Sequence, residues 1–298
     1  MANAALKQIR PQPITRSKTL NRRRRSTVTP RPFLKWVGGK GQLLNQIFEQ
    51  LPERFRRYHE PFTGGGAVFF GLSRSGKLAK KRAYLSDVNP ELVDTYTSIK
   101  MEVDDVIEAL SVHHYDSDYY YEVRAQDPWV MSRPERAARM IFLNRCGFNG
   151  LYRVNKKGQF NVPFGRYANP LICDEANLRQ VSNTLKKAVI KKQGFQTIAD
   201  RAQTGDLVYF DPPYVPVSDT SNFVSYAKDG FTQENQEELA TIVEELSDKG
   251  VHVILSNSAA PWVVERYSKF QVNIVPARRS INSKASKRGP VGEVVVVA

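Results

Sequence analysis

Two consecutive prolines at residues 212 and 213 constrain this chain more than any other feature. In Gly205-Asp206-Leu207-Val208-Tyr209-Phe210-Asp211-Pro212-Pro213-Tyr214, the run Leu207 to Phe210 is short, apolar and rich in strand formers. Proline has no backbone donor and cannot continue a central ladder, so the strand must stop at Asp211. That places Asp211 at the carboxyl end of a sheet strand, where open α/β sheets put their ligand crevices. The prolines stiffen the turn and leave a carbonyl without a local partner, and Tyr214 follows with a flat aromatic surface. A carboxylate, a fixed acceptor and a ring together suit a planar group that carries an NH2, such as adenine. Taken by itself, a strand-ending turn with a solvated Asp211 explains the same residues.

The segments before it repeat the strand-then-loop theme. Phe33-Leu34-Lys35-Trp36-Val37-Gly38-Gly39-Lys40 opens the folded part, with a helix expected over Gln42 to Gln50. His59-Glu60-Pro61-Phe62-Thr63-Gly64-Gly65-Gly66 leads into the apolar Ala67 to Phe70, an order of strand, glycine bend and helix start that also suits a dinucleotide-binding dehydrogenase. Next, Ala83 to Ser86 reads as a strand ending at Asp87, with Asn89 as N-cap, Pro90 at the first helical position, and Leu92, Tyr96 and Ile99 along one helix face. An acid at a strand end in this position commonly holds ribose hydroxyls.

From Glu102 to Arg201 the pattern is mostly helical, then loop-rich, with a helix expected around Arg136 to Asn144. Asn149-Gly150 is a strong hairpin-turn signal and Lys157-Gly158 a second. Around them Arg145, Arg153, Lys156, Lys157 and Arg166 interleave with Phe148, Tyr152, Phe160 and Phe164. Basic groups of this kind reach phosphates and guanine edges, and aromatics stack on bases or wedge between them. A hairpin that packs its aromatics inward accounts for the rings equally well. After Tyr214 the α/β alternation returns: a loop from Asn222 to Gly230, a helix capped by Thr232 with Leu239, Ile242, Val243 and Leu246 on one face, a strand from Val251 to Leu255, and a closing strand from Glu293 to Val297.

Charge points to a polyanionic partner. The formal net charge is +14, and nine of those charges fall in Met1 to Pro32, which holds no acid and reads as a disordered basic arm. No apolar run has the length a membrane span requires, and no signal-peptide core is present, so the expected location is the cytoplasm. Two cysteines without metal-ligand spacing read as reduced structural thiols, and no metal is expected.

Asp211-Pro212-Pro213-Tyr214 resembles the catalytic tetrapeptide of the amino-methyltransferases. Taken with the other motifs in their order, the chain from Phe33 onward resembles the Dam family of DNA adenine-N6 methyltransferases, which act at GATC. The resemblance implies an α/β, doubly wound Rossmann-like sheet dependent on S-adenosylmethionine, with a mostly helical DNA-recognition insert carrying a β-hairpin. Residues 33–101 and 202–298 would form the methyltransferase domain and residues 102–201 the target-recognition insert. It further implies that Trp36, Lys40, Glu60, Phe62, Gly64, Gly66, Asp87 and Asp211 bind the cofactor. Asp211, Pro212 and Tyr214 would carry catalysis, and Phe148, Asn149, Leu151, Arg153, Pro163 and Arg166 would contact duplex DNA. Phe148 stands where many members have Tyr, and Arg278-Arg279-Ser280-Ile281 also follows the family pattern. A monomer suffices for such a reaction. The rival readings are a cytosine-N4 methyltransferase, which usually has Ser in place of Asp211, a protein-glutamine methyltransferase, a catalytically silent DNA-binding relic, and the dehydrogenase.

Overall fold

The computed structural model describes residues 28–215, 230–278 and 290–298. The expected basic arm lies outside it up to residue 27, as do most of the loop expected at 222–230, the Arg279-Ser280-Ile281 part of the terminal basic motif, and the basic residues 284, 287 and 288. Seven strands form one sheet: β1 (Tyr58–Glu60), β2 (Ala83–Asp87), β3 (Ala188–Lys192), β4 (Leu207–Phe210), β5 (His252–Ser258), β6 (Gln271–Arg278) and β7 (Pro290–Val297), in spatial order β3-β2-β1-β4-β5-β7-β6. The first five run parallel, and β7 enters antiparallel to both β5 and β6. The chain winds outward from β1 on one side and from β4 on the other. Their shared boundary is the topological switch point, and the carboxyl ends of β1, β2 and β4 surround it.

Helices cover both faces. They are α1 (Leu44–Glu49), α2 (Ala67–Arg74), α3 (Pro90–Met101), α4 (Val103–Ser111), α5 (Ser117–Ala125), α6 (Arg133–Cys146), α7 (Glu175–Leu185), α8 (Ile198–Arg201), α9 (Gln233–Asp248) and α10 (Pro261–Arg266). Strand β4 shows why the sheet is doubly wound. Leu207 and Tyr209 enter the core shared with α1 to α7, whereas Val208 and Phe210 enter the core shared with α8 to α10, the two-residue period of a strand buried on both faces.

The β2–α3 unit forms as its sequence dictates. The Asn89 side chain accepts a hydrogen bond from Leu92 N at 3.1 Å, Pro90 occupies the first turn, and Leu92, Tyr96 and Ile99 are buried. Helix α6 begins with a capping box between Ser132 and Glu135 and packs against α3 and α4. Burial pushes the Cys146 thiol at its end up to about 12, which suits an inert core cysteine.

Three details differ from the expectations. Residues 188–201, expected within the insert, supply edge strand β3 and the buried Phe195 and Ile198 beneath α9, so the sheet reclaims them. Asn149-Gly150 has the positive φ values of a hairpin turn (54° and 63°), yet it forms a tight 3-10 turn that exits α6. The hairpin reverses instead at Asn155 to Gly158, closed by Gly158 N to Asn155 O at 2.8 Å and flanked by the antiparallel bridges Val154–Phe160 and Gly147–Phe164. Arg31, assigned to the arm, is anchored: its guanidinium meets Asp174 at 2.5 Å and its backbone amide meets the Asn177 side chain at 3.0 Å.

Candidate active site

Asp211 emerges from β4 at the switch point with its side chain 21% exposed, and the Lys40 ammonium lies 2.6 Å from its carboxylate. Burial pushes the Asp211 carboxyl up to about 6, and Lys40 pulls in the opposite direction. The same ammonium sits 4.7 Å from the centre of the Tyr214 ring, a cation–π distance that keeps the aromatic face beside the carboxylate. Lys40 is itself 4% exposed and also donates to Gly38 O, so the Gly38-Gly39 bend fixes where its charge lies. Pro212 is buried, and its carbonyl accepts no hydrogen bond from the described residues. Asp211, Tyr214 and Lys40 thus lie together at the end of β4, with Pro212 next in the chain.

The glycine loop after β1 borders this centre. Gly64 N donates to one Asp87 carboxylate oxygen at 3.1 Å and Asn89 N to the other at 3.0 Å. An ionised carboxylate has about four acceptor positions, so Asp87 retains capacity for a ligand diol. Gly64 (φ 45°) and Gly66 (φ 68°) adopt the left-handed region, where a side chain is strained. A Cβ on Gly64 would stand 2.7 Å from the Trp36 ring, and one on Gly66 would stand 2.7 Å from the Tyr96 hydroxyl. The loop therefore packs against Trp36 and Tyr96 with no room for side chains at Gly64 and Gly66, and the Tyr96 hydroxyl donates to Gly64 O at 3.1 Å. A cavity of about 510 Å³ on the other side of Trp36 is bounded by Arg31, Leu34, Trp36, Gly39, Gly65, Ala67 and Arg74, and none of Asp87, Lys40 and Asp211 is in its wall. The glycine loop, the strand-end carboxylate with a spare acceptor position and the large aromatic, rather than this cavity, are the features that fit S-adenosylmethionine.

Two of the expected cofactor residues are less open. The Glu60 carboxylate is 2% exposed and accepts the Tyr58 hydroxyl at 2.8 Å, and burial pushes it up to about 8. Phe62 is half-buried in an aromatic cluster, stacked on Phe195 at 5.4 Å and edge-on to Phe231 at 5.7 Å. Among the described residues no three His, Cys, Asp or Glu side chains gather as a metal site would need.

The segment expected to read DNA separates into anchors and exposed residues. Tyr152 stacks on Trp36 at 5.5 Å and donates to Glu91 at 2.9 Å, Phe160 is buried, and Phe164 stacks on Tyr115 at 4.7 Å. Those rings pack inward. Phe148 is 49% exposed, and Asn149, Arg153, Pro163 and Arg166 are exposed beside it, with Leu151 half-buried. Arg153 is oriented by Asn161, donating to its side-chain oxygen at 2.7 Å and its backbone carbonyl at 3.0 Å.

Several residues that position the site were not singled out from sequence, because their partners are remote along the chain. Asn144, at the end of α6, accepts from Lys35 N at 2.8 Å and donates to Lys35 O at 2.7 Å, fastening the Trp36 segment to the insert. Buried Glu91 pairs with buried Arg139, whose guanidinium also caps Val123 O and Arg124 O. Glu293 accepts the Tyr214 hydroxyl at 2.7 Å, and Gln236 and Asn257 hold the turn after Asp211. A helix-face amide and an acid within a strand carry no local signature of such contacts.

Comparison with known proteins agrees with this geometry. Residues 36–281 match the model of the D12 class N6 adenine-specific DNA methyltransferases. The chain is 42% identical to the type II methyltransferase M1.LlaDCHI of Lactococcus lactis subsp. cremoris, covering 93% of this chain and 98% of that protein. It is 41% identical to the type II methyltransferase M.MjaIII of Methanocaldococcus jannaschii, over 87% and 95% of the two chains. It is 37% identical to the DNA adenine methylase of Escherichia coli (strain K12), over 90% and 95%. With the acid, the proline carbonyl and the tyrosine ring assembled at the switch point of a doubly wound sheet, the chain belongs to the D12 class of N6 adenine-specific DNA methyltransferases.

Proposed function

We propose that this enzyme methylates adenine N6 within GATC in duplex DNA, on a base turned out of the helix, with Asp211, Pro212 and Tyr214 as the reacting surface. The observation that carries the reading is the pairing at the end of β4 of a half-buried carboxylate with a carbonyl, one residue on, that accepts no hydrogen bond from the described residues. Adenine N6 is a weak nucleophile because its lone pair is conjugated with the ring. Two acceptors aimed at its two protons, Asp211 and the Pro212 carbonyl, favour a pyramidal nitrogen and expose that lone pair. They stabilise the charge and geometry that develop during transfer. Bound S-adenosylmethionine supplies the electrophilic methyl as a sulfonium. Trp36, Phe62, the Gly64–Gly66 loop and Asp87 would hold it, Asp87 at the ribose, and Glu60 and Lys40 would shape its charge environment. The protein's task is then in-line placement of nitrogen and methyl.

The amino group is paired within the duplex, so access to both of its protons requires the base to leave the stack, with Tyr214 as its resting face. On the DNA side, exposed Phe148 would wedge at the gap, Arg153 would donate to guanine O6 and N7, and Leu151 and Pro163 would touch base edges. Asn149 and Arg166 would lie along the same groove or at the backbone. GATC rests on the similarity of this segment to the Dam target-reading hairpin. Residues 102–187 would serve as the recognition insert, the protein would act as a monomer on its DNA in the cytoplasm, and no metal is needed for the steps described.

The test is made on plasmid DNA from a host lacking adenine methylation, after expression of the full chain. Cutting by a nuclease that needs methylated GATC, with protection from one that needs it unmethylated, is the expected result. Asp211→Ala should abolish the protection while the purified variant still binds duplex DNA. Near-normal methylation by that variant would refute the assignment.

A further inference from the structure

The turn Asp211 to Val215 is held by more than its prolines. Both prolines fix their own φ, and Pro213 restricts the ψ of the residue before it, so the Pro212 peptide has little freedom. The next torsion, ψ of Pro213, has no such constraint from sequence. In the structure it is set by Gln236, whose side-chain NH2 donates to Pro213 O at 2.7 Å. Gln236 projects from the first turns of α9, whose start is fixed by the Thr232–Asn235 capping box. Its own amide oxygen accepts from Asn257 Nδ2 at 3.2 Å, and Asn257 Oδ1 accepts from Val215 N at 3.1 Å and Ser258 N at 2.8 Å. Ser258 Oγ closes the set by donating to Val215 O at 2.7 Å. Gln236 is 3% exposed and Asn257 is fully buried, so the chain of amides runs through the core, where an unmet partner is costly.

This network has a chemical consequence. The turn carries two adjacent carbonyls, those of Pro212 and Pro213, and either could accept a hydrogen bond from an amino group. Gln236 engages the second, and the first is left without a donor among the described residues. We propose that Gln236, oriented by Asn257, is a positioning residue that makes the Pro212 carbonyl the acceptor for the target amino group. The inference rests on the proposed adenine-N6 chemistry and adds a residue to it that touches neither substrate.

The test uses the full chain and single-turnover transfer of labelled methyl to a duplex containing GATC, at saturating cofactor and DNA. Gln236→Met retains the length of the side chain and removes both polar ends. Its transfer rate should fall roughly 10- to 100-fold, as expected for misplacement of an acceptor by about an ångström. Cofactor affinity by calorimetry and DNA affinity by anisotropy should stay within about twofold, since a positioning role is exerted only in the reaction. Gln236→Glu provides the second reading and retains the side chain's shape. Its neutral carboxyl donates to Pro213 O, whereas its carboxylate repels that carbonyl. The ratio of its rate to the wild-type rate should therefore rise as pH falls. Rates for Gln236→Met within twofold of wild type, or a Gln236→Glu ratio that does not vary with pH, overturn the inference while the functional reading stands. A wild-type chain that forms no N6-methyladenine overturns both.

Discussion

Replacing Lys40 by Met should move the acid limb of the reaction rather than merely lower the rate. In the proposed chemistry Asp211 accepts most strongly when ionised, and burial has already pushed its carboxyl up to about 6. The ammonium that opposes this shift is 2.6 Å away and 4% exposed, so solvent screens it little. An opposite charge at such a distance lowers a carboxyl pKa by roughly 1–3 units, and its removal should raise Asp211 by a comparable amount. The acid limb of the profile then moves to higher pH by the same interval, and the rate lost near neutrality, roughly tenfold per unit once the carboxyl is mostly protonated, is recovered on the alkaline side. The assay is the pH dependence of initial rates below saturation in both substrates, which reports ionisations of the free enzyme. Any weakening of cofactor binding by the substitution multiplies the whole profile and leaves its midpoint in place. A midpoint identical to that of wild type would refute the electrostatic role given to Lys40.

Three further outcomes follow from the same structure. Glu60 has a folded-state pKa of about 8 against an ordinary 4.5, so the fold bears a buried carboxylate above pH 8 and is relieved of it as pH falls. Glu60→Gln should therefore exceed wild type in stability by up to ~5 kcal/mol at pH 9 in denaturant unfolding, with the advantage gone near pH 5; equal curves at both pH values would contradict this. Glu91→Ala leaves the Arg139 guanidinium, 3% exposed, without its acid, and should cost ~3–5 kcal/mol, seen as a fall in Tm on the order of 10 °C. Arg153→Ala should reduce discrimination at one guanine of the target by about 1–3 kcal/mol, measured as relative transfer rates on duplexes with single base changes; a uniform loss on every duplex would mark a phosphate contact instead.

The parts of this molecule that were legible in its sequence are those specified by neighbours along the chain. Asn89-Pro90 announces a helix start because the cap and the fixed φ act within one turn, and Pro212-Pro213 ends β4 by backbone chemistry alone. Asn149-Gly150 shows the limit of such reasoning. The dipeptide does adopt the two positive φ values it favours, but that conformation also suits leaving a helix, and nothing local says whether a strand follows. Strand β3 was hidden for a related reason. It lies at the sheet edge, and Lys191 and Lys192 supply the charges that discourage edge pairing, which weakens its apolar signal. Gln236, Asn257 and Glu293 gain their significance only when α9, β5 and β7 bring them to a turn that precedes them in the chain.

The stack of Tyr152 on Trp36 has a consequence for how such enzymes can diversify. Tyr152 is tied inward, to Trp36 and to Glu91, while its neighbour Arg153 is exposed. Along this stretch inward and outward residues lie side by side, as in Tyr152-Arg153 and Val162-Pro163, which the pleat of an extended chain allows. On the proposed reading, exchange of the exposed set, Arg153, Pro163 and Arg166, would retarget the enzyme to another recognition sequence with its catalytic apparatus intact. Inward residues such as Tyr152 do not share that freedom, since a change there disturbs the Trp36 stack and the Glu91 contact. A library confined to the outward positions is thus the economical route to new sequence preferences on this scaffold.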